Sequence, residues 1–202
     1  MADAALPEDL AALVGSRICH DLVNPLGAIG NGAELLVMED SRLGPLARLI
    51  GDSVESATAR LRLYRLAFGP PGAERIGQPE IAATVAGYVA GRRLSVGWEA
   101  PGDRARADVR LAFLLILCAE TALPRGGEIA VTGVALGLHL RATGAGLRAD
   151  PELWLPLDPL SGRALPPLSP ALVQFGLARA DIARRQRPVT IVQAPGEIAV
   201  GF

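Results

Sequence analysis

Apolar residues recur every three or four positions at Leu10, Leu13, Val14, Ile18, Leu22, Leu26, Ile29, Ala33 and Leu36. That spacing is one stripe of a long amphipathic helix. The helix is predicted to start near Pro7-Glu8-Asp9, where a proline and two acids suit a first turn, and to run to about Met38. His20 stands two residues from both Ile18 and Leu22, about 200° around the axis, and so faces away from the stripe. Asn24 follows one turn later on the same face, Arg17 and Asn31 fall near it, and Asp21 flanks it. The outer face therefore carries an imidazole, a carboxylate and a carboxamide among the small residues Ser16, Gly27 and Ala28. Pro25 removes the hydrogen bond to the Asp21 carbonyl and costs roughly 3 kcal/mol in mid-helix. A bend one turn from an exposed histidine suggests a use for that surface. The plain alternative is an ordinary surface histidine beside a helix break.

After the polar connection Glu39-Asp40-Ser41-Arg42, a second stripe follows at Leu43, Leu46, Ile50, Val54, Ala57, Leu61, Tyr64 and Phe68, and Gly69-Pro70-Pro71-Gly72 stops it. Two long helices with a tight connection predict an antiparallel hairpin. A single hairpin cannot cover both stripes. Pairing in a homodimer, as a four-helix bundle, is one solution, and packing on the chain's own C-terminal half is the other.

Beyond residue 79 the pattern changes. Helices are predicted at Glu80–Arg92, Ala105–Leu123 and Pro170–Arg185, the second strongly apolar and stopped by Pro124-Arg125-Gly126-Gly127. Strands are predicted at Leu94–Glu99, Glu128–Ala135, Leu138–Ala142, Val189–Gln193 and Ile198–Phe202, with an irregular proline-rich stretch from Pro151 to Pro170. Helices on one side of a mixed sheet make a two-layer α+β domain. The expected organisation is a helical hairpin over residues 1–70, a linker over 71–79 and an α/β sandwich over 80–202.

Composition narrows the function. Half of the 202 residues are hydrophobic and the net charge is −1, which gives no electrostatic case for nucleic acid. All 20 basic residues are arginine, so neither a phosphate-loop lysine nor a Schiff-base lysine exists. The two cysteines, Cys19 and Cys118, support neither a disulfide framework nor a zinc site, and Cys19 reads as a small packed residue. The N-terminal residues lack the basic and apolar regions of a signal peptide, and no apolar run approaches about 18 residues. A cytoplasmic protein with no membrane contact is expected.

The run His20-Asp21-Leu22-Val23-Asn24-Pro25-Leu26 resembles the phosphoacceptor box of sensor histidine kinases, and the order of hairpin, linker and α/β domain is similar to theirs. Over essentially the whole chain the resemblance is to the ChpT-type histidine phosphotransferases of alphaproteobacteria, with Ile18 to Leu36 as the most telling run. The departures from the kinase pattern bear on activity. Leu111–Leu123 has Glu120 and Thr121 as its only polar groups, where a kinase places asparagines for Mg²⁺ and phosphates. Ala142-Thr143-Gly144-Ala145-Gly146 keeps the kinase glycines and loses the aspartate that reads adenine. The later phosphate loop falls near Val173–Ala178, where only Gly176 lets backbone approach a phosphate closely. One carboxylate, Glu120, is a poor Mg²⁺ site by itself. The second domain therefore reads as a former nucleotide fold with no cofactor and no metal of its own.

The resemblance implies a phosphohistidine relay. His20 takes a phosphoryl group from the aspartyl phosphate of a receiver domain in a hybrid histidine kinase, by its Nε2 in the family pattern. It then passes the group to the receiver of a response regulator, and each receiver brings its own Mg²⁺. Asp21 is the candidate to hydrogen-bond the far side of the ring, Asn24 to contact phosphoryl oxygens, and Arg17 to offset their charge. Val23, Gly27, Ala28 and Asn31 complete an expected docking face. His139 reads as a satisfied sheet histidine and Trp154 as an aromatic anchor on the core. The rival readings are a receiver-docking scaffold or phosphatase without an obligate phosphohistidine, and an ATP-dependent histidine kinase with a divergent nucleotide site.

Overall fold

The computed structural model describes residues 6–134, 137–185 and 189–202, with the side chains of residues 6–14, Glu39 and Ser41 left aside. The chain divides into two compact units, residues 1–70 and 71–202.

The first unit is the hairpin: α1 (Leu6–Glu39), a three-residue 3-10 turn at Ser41–Leu43, and α2 (Gly44–Phe68). Helix α1 continues through Pro25 without a break. The closest approaches between the two helices use small residues. A Cβ on Gly30 would lie 3.4 Å from Val54 Cγ1, and one on Gly15 would lie 3.5 Å from Phe68 Cβ. Cys19, Ala33, Ala47 and Ala59 are buried, whereas Ile18, Leu22, Ile29, Leu36, Leu46 and Leu49 are exposed. The covered side of α1 is the Gly15, Cys19, Gly30, Ala33 row, about 70° around the axis from the aliphatic stripe. The aliphatic stripe is left open within a single chain. Leu10, Leu13 and Val14, at the start of that stripe, lie outside the described side chains.

The second unit opens with β1 (Arg75–Ile76), which pairs antiparallel with β3 (Arg104–Ala105). Strand β1 falls in the expected linker, and β3 falls where a loop and the first residue of the helix Ala105–Leu123 were expected. Helix α3 (Gln78–Val89) and strand β2 (Leu94–Trp98) follow, then α4 (Arg106–Ala122). Next come β4 (Gly127–Val134), β5 (Gly137–Thr143), the single-turn α5 (Pro151–Trp154), α6 (Val173–Arg185), β6 (Thr190–Ala194) and β7 (Glu197–Gly201). The five-stranded sheet has the order β2-β4-β5-β7-β6, with β2 and β4 parallel and every other pair antiparallel. Ile129 and Val131 of β4 and Leu138, Leu140 and Ala142 of β5 are buried, while the alternating Arg141 is exposed. Period-2 burial of this kind marks a sheet covered on one face. Helix α4 supplies the cover, with every residue from Val109 to Ala119 buried.

Two features tie the layers together. Trp154 meets Phe175 edge-on with ring centroids 5.6 Å apart, and it is 1% exposed, which fits the expected aromatic anchor. Arg110 of α4 pairs with Asp181 of α6, and Arg184 reaches the same carboxylate. The fold is α+β, as expected, with a helical hairpin followed by a sheet-and-helix sandwich.

Candidate functional site

His20, Asp21 and Asn24 all lie on the exposed side of α1, as do Arg17, Val23, Gly27, Ala28 and Asn31. Helical periodicity sets the arrangement. Positions 17, 20, 24, 27 and 31 fall within about 80° of one another around the axis, roughly opposite the Ile18, Leu22, Ile29, Leu36 stripe. The ring of His20 is 72% exposed.

Three polar side chains are linked. Arg17 Nε donates to Asp21 Oδ2 at 2.6 Å, and His20 Nδ1 lies 3.1 Å from Asp21 Oδ1. An ionised carboxylate can only accept, so the proton of the neutral ring belongs on Nδ1 and the lone pair on Nε2. The hydrogen bond from Arg17 first, and that from His20 second, hold the Asp21 carboxyl below its ordinary carboxylate range. The carboxylate therefore stays ionised beside the ring. Chemically, this gives a solvent-facing nucleophilic nitrogen with an anion behind it, ready to offset the positive charge that grows on the ring during attack.

Cys19, next in sequence, is turned inward and 5% exposed, and burial pushes its thiol up, with Arg65 opposing that shift. It is a packing residue, as expected. His139 sits in β5 opposite Thr132 of β4 and Gly201 of β7, half-buried within the sheet.

The positions where the kinase pattern places its nucleotide groups are engaged in packing. Arg92 and Tyr88 both hydrogen-bond the Glu120 carboxylate, and Thr121 Oγ1 donates to the Cys118 carbonyl at 2.7 Å. A Cβ on Gly144 would lie 2.6 Å from Leu123 Cδ2, so this glycine makes room for a leucine. Gly176 lies inside α6, within the helix expected over Pro170–Arg185, where a kinase would place its phosphate loop. Its open side faces Leu168 Cδ1, 3.0 Å from a would-be Cβ. These residues do not fit a nucleotide with its Mg²⁺, and among the described residues no three metal-ligating side chains cluster.

The architecture is thus a helical hairpin bearing an exposed His-Asp pair, followed by an α+β sandwich. The model of the histidine phosphotransferase C-terminal domain matches residues 78–196, and the chain belongs to that family. It is similar to protein phosphotransferase ChpT of Brucella abortus (strain 2308), with 38% identity over 130 residues. That match spans 61% of this chain and 60% of the relative's length. A solved structure described as a bacterial phosphotransferase superposes with a TM-score of 0.69 at 25% identity, covering 99% of this chain and 97% of that one. The ChpT-type resemblance read from residues 18–36 thus stands. Among the described residues no helix is long and apolar enough to cross a membrane.

Proposed function

We propose that this chain is a cytoplasmic phosphorelay intermediate that carries a phosphoryl group on His20. The observation that carries the reading is the exposed ring with Nδ1 bound to Asp21 and Nε2 open to solvent. The Nε2 lone pair attacks the phosphorus of a receiver's aspartyl phosphate. The new N–P bond forms as the P–O bond breaks, and the aspartate leaves as a carboxylate. The proton on Nδ1 stays in place, and Asp21 faces the cationic ring. The return step hands the group to the aspartate of a second receiver by the same route. Both displacements depend on positioning and charge more than on covalent work by the protein. Asn24, one turn from His20, is placed to contact phosphoryl oxygens, and Val23, Gly27, Ala28 and Asn31 form the ground on which a receiver sits. Mg²⁺ comes with the receiver.

The open aliphatic stripe supports a homodimer. Leu26, Ile29, Leu49, Ile50, Ser53 and Val54 line an apolar groove on the hairpin. A second hairpin laid there buries Ile18, Leu22, Ile29 and Leu36 in a four-helix bundle and leaves the His20 side free.

The test is to mix the chain with a receiver domain carrying labelled aspartyl phosphate. Acid-labile, base-stable label should appear on the chain and pass to a second receiver, and a His20→Ala variant should take none. Full transfer between receivers by His20→Ala would end the reading.

A further inference from the structure

We infer that Arg17 is a positioning residue for phosphoryl transfer: it holds the Asp21 carboxylate where His20 must present Nε2 as its unprotonated nitrogen. This rests on His20 being the phosphoacceptor. A free imidazole side chain in water favours its proton on Nε2, which would leave Nδ1, the nitrogen nearer the backbone, as the nucleophile. Reversing that preference takes an acceptor held at Nδ1.

Asp21 does not hold itself there. Neighbouring helix residues point about 100° apart, so nothing in the backbone turns the carboxylate toward the ring. Arg17 sits one turn toward the N-terminus, the direction in which helical side chains lean, and its azimuth falls between those of Asp21 and His20. Drawing the carboxylate toward Arg17 therefore carries it beside the imidazole. The contacts divide accordingly, with Oδ2 taken by Arg17 Nε at 2.6 Å and Oδ1 left for His20 Nδ1 at 3.1 Å. The Arg17 and Asp21 side chains are 77% and 48% exposed, and an exposed pair of this kind adds little to stability. Its effect is on the ring. In the transfer step Nε2 forms the bond to phosphorus, the receiver's P–O bond breaks, and the proton never leaves Nδ1. A ring with its proton on Nε2 has no lone pair there to give.

The experiment labels the histidines of the full-length chain with ¹⁵N and reads the tautomer above neutral pH, with a His20→Ala sample separating His20 from His139. The unmodified protein should show His20 protonated on Nδ1. Arg17→Gln should raise the Nε2-protonated share and slow phosphoryl uptake from a phosphorylated receiver about two- to fivefold. Arg17→Lys, which can still reach a carboxylate four residues on, should restore both. An unchanged tautomer ratio in Arg17→Gln overturns the inference. So does a slower rate with an unchanged ratio, which would put Arg17 on the receiver or the phosphoryl group instead. The tautomer measurement needs no receiver, so its failure is distinct from a failure of His20 to take phosphate.

Discussion

Arg110 and Asp181 form an ion pair whose side chains are 2% and 6% exposed, and it joins α4 to α6 beneath the sheet. Removing one partner of a buried pair costs about 3–5 kcal/mol. Asp181→Ala should lower the unfolding free energy of the second unit, read from its urea titration, by about that much. Trp98 and Trp154, the two tryptophans of the chain, both lie in that unit and report its unfolding by fluorescence. A loss under about 1 kcal/mol would mean that water reaches the pair.

The stripe of Ile18, Leu22, Ile29 and Leu36 makes a prediction about assembly. Covering one such side chain stabilises by about 1.5–3 kcal/mol, and a symmetric interface uses each position twice. Ile29→Glu should therefore convert a dimer to a monomer in light scattering at micromolar concentration, with helix content kept. A variant that stays dimeric would place the interface elsewhere.

Asn24 is exposed, and its side chain makes no hydrogen bond among the described residues. Asn24→Ala should leave the unfolding midpoint within about 0.5 kcal/mol of the parent. It should lower phosphoryl uptake or loss at His20. Unchanged kinetics in both directions would remove Asn24 from the site.

Asp21 should titrate below the ordinary aspartate range, because Arg17 and then His20 favour its charged form. A carboxyl depressed by folding contributes any stabilisation above its unfolded value and loses it as the pH falls through the lower folded value. The hydrogen bond to Nδ1 should thus survive acidification that protonates an unpaired aspartate. Side-chain ¹³C shifts followed through a pH titration check this, and a midpoint above the ordinary range would contradict it.

Much of this molecule can be read without coordinates because its signals are local. The hairpin follows from two uninterrupted helical stripes, and the sheet from alternating strands with glycine and proline stops. Arg17 and Asp21 stand four apart on one helix, so their contact is in the spacing, although that spacing does not say that the pair orients a ring. What escaped is non-local or made of small residues. Gly15, Cys19, Gly30 and Ala33 pack α1 on α2, yet a hydrophobicity pattern weights Ile18 and Leu22 instead. Two-residue strands such as β1 are too short to show any period. The Arg110–Asp181 contact joins residues 71 apart, and the Leu168 contact at Gly176 exists only once α6 has formed.

Helix α1 has its aliphatic ridge and its histidine on nearly opposite sides, and this bears on how many customers the proposed pair could serve. Two copies closed through the ridge, as proposed, would turn their imidazoles outward, away from each other. Each ring would then take its own receiver without waiting for its twin, and occupancy would reach two per pair.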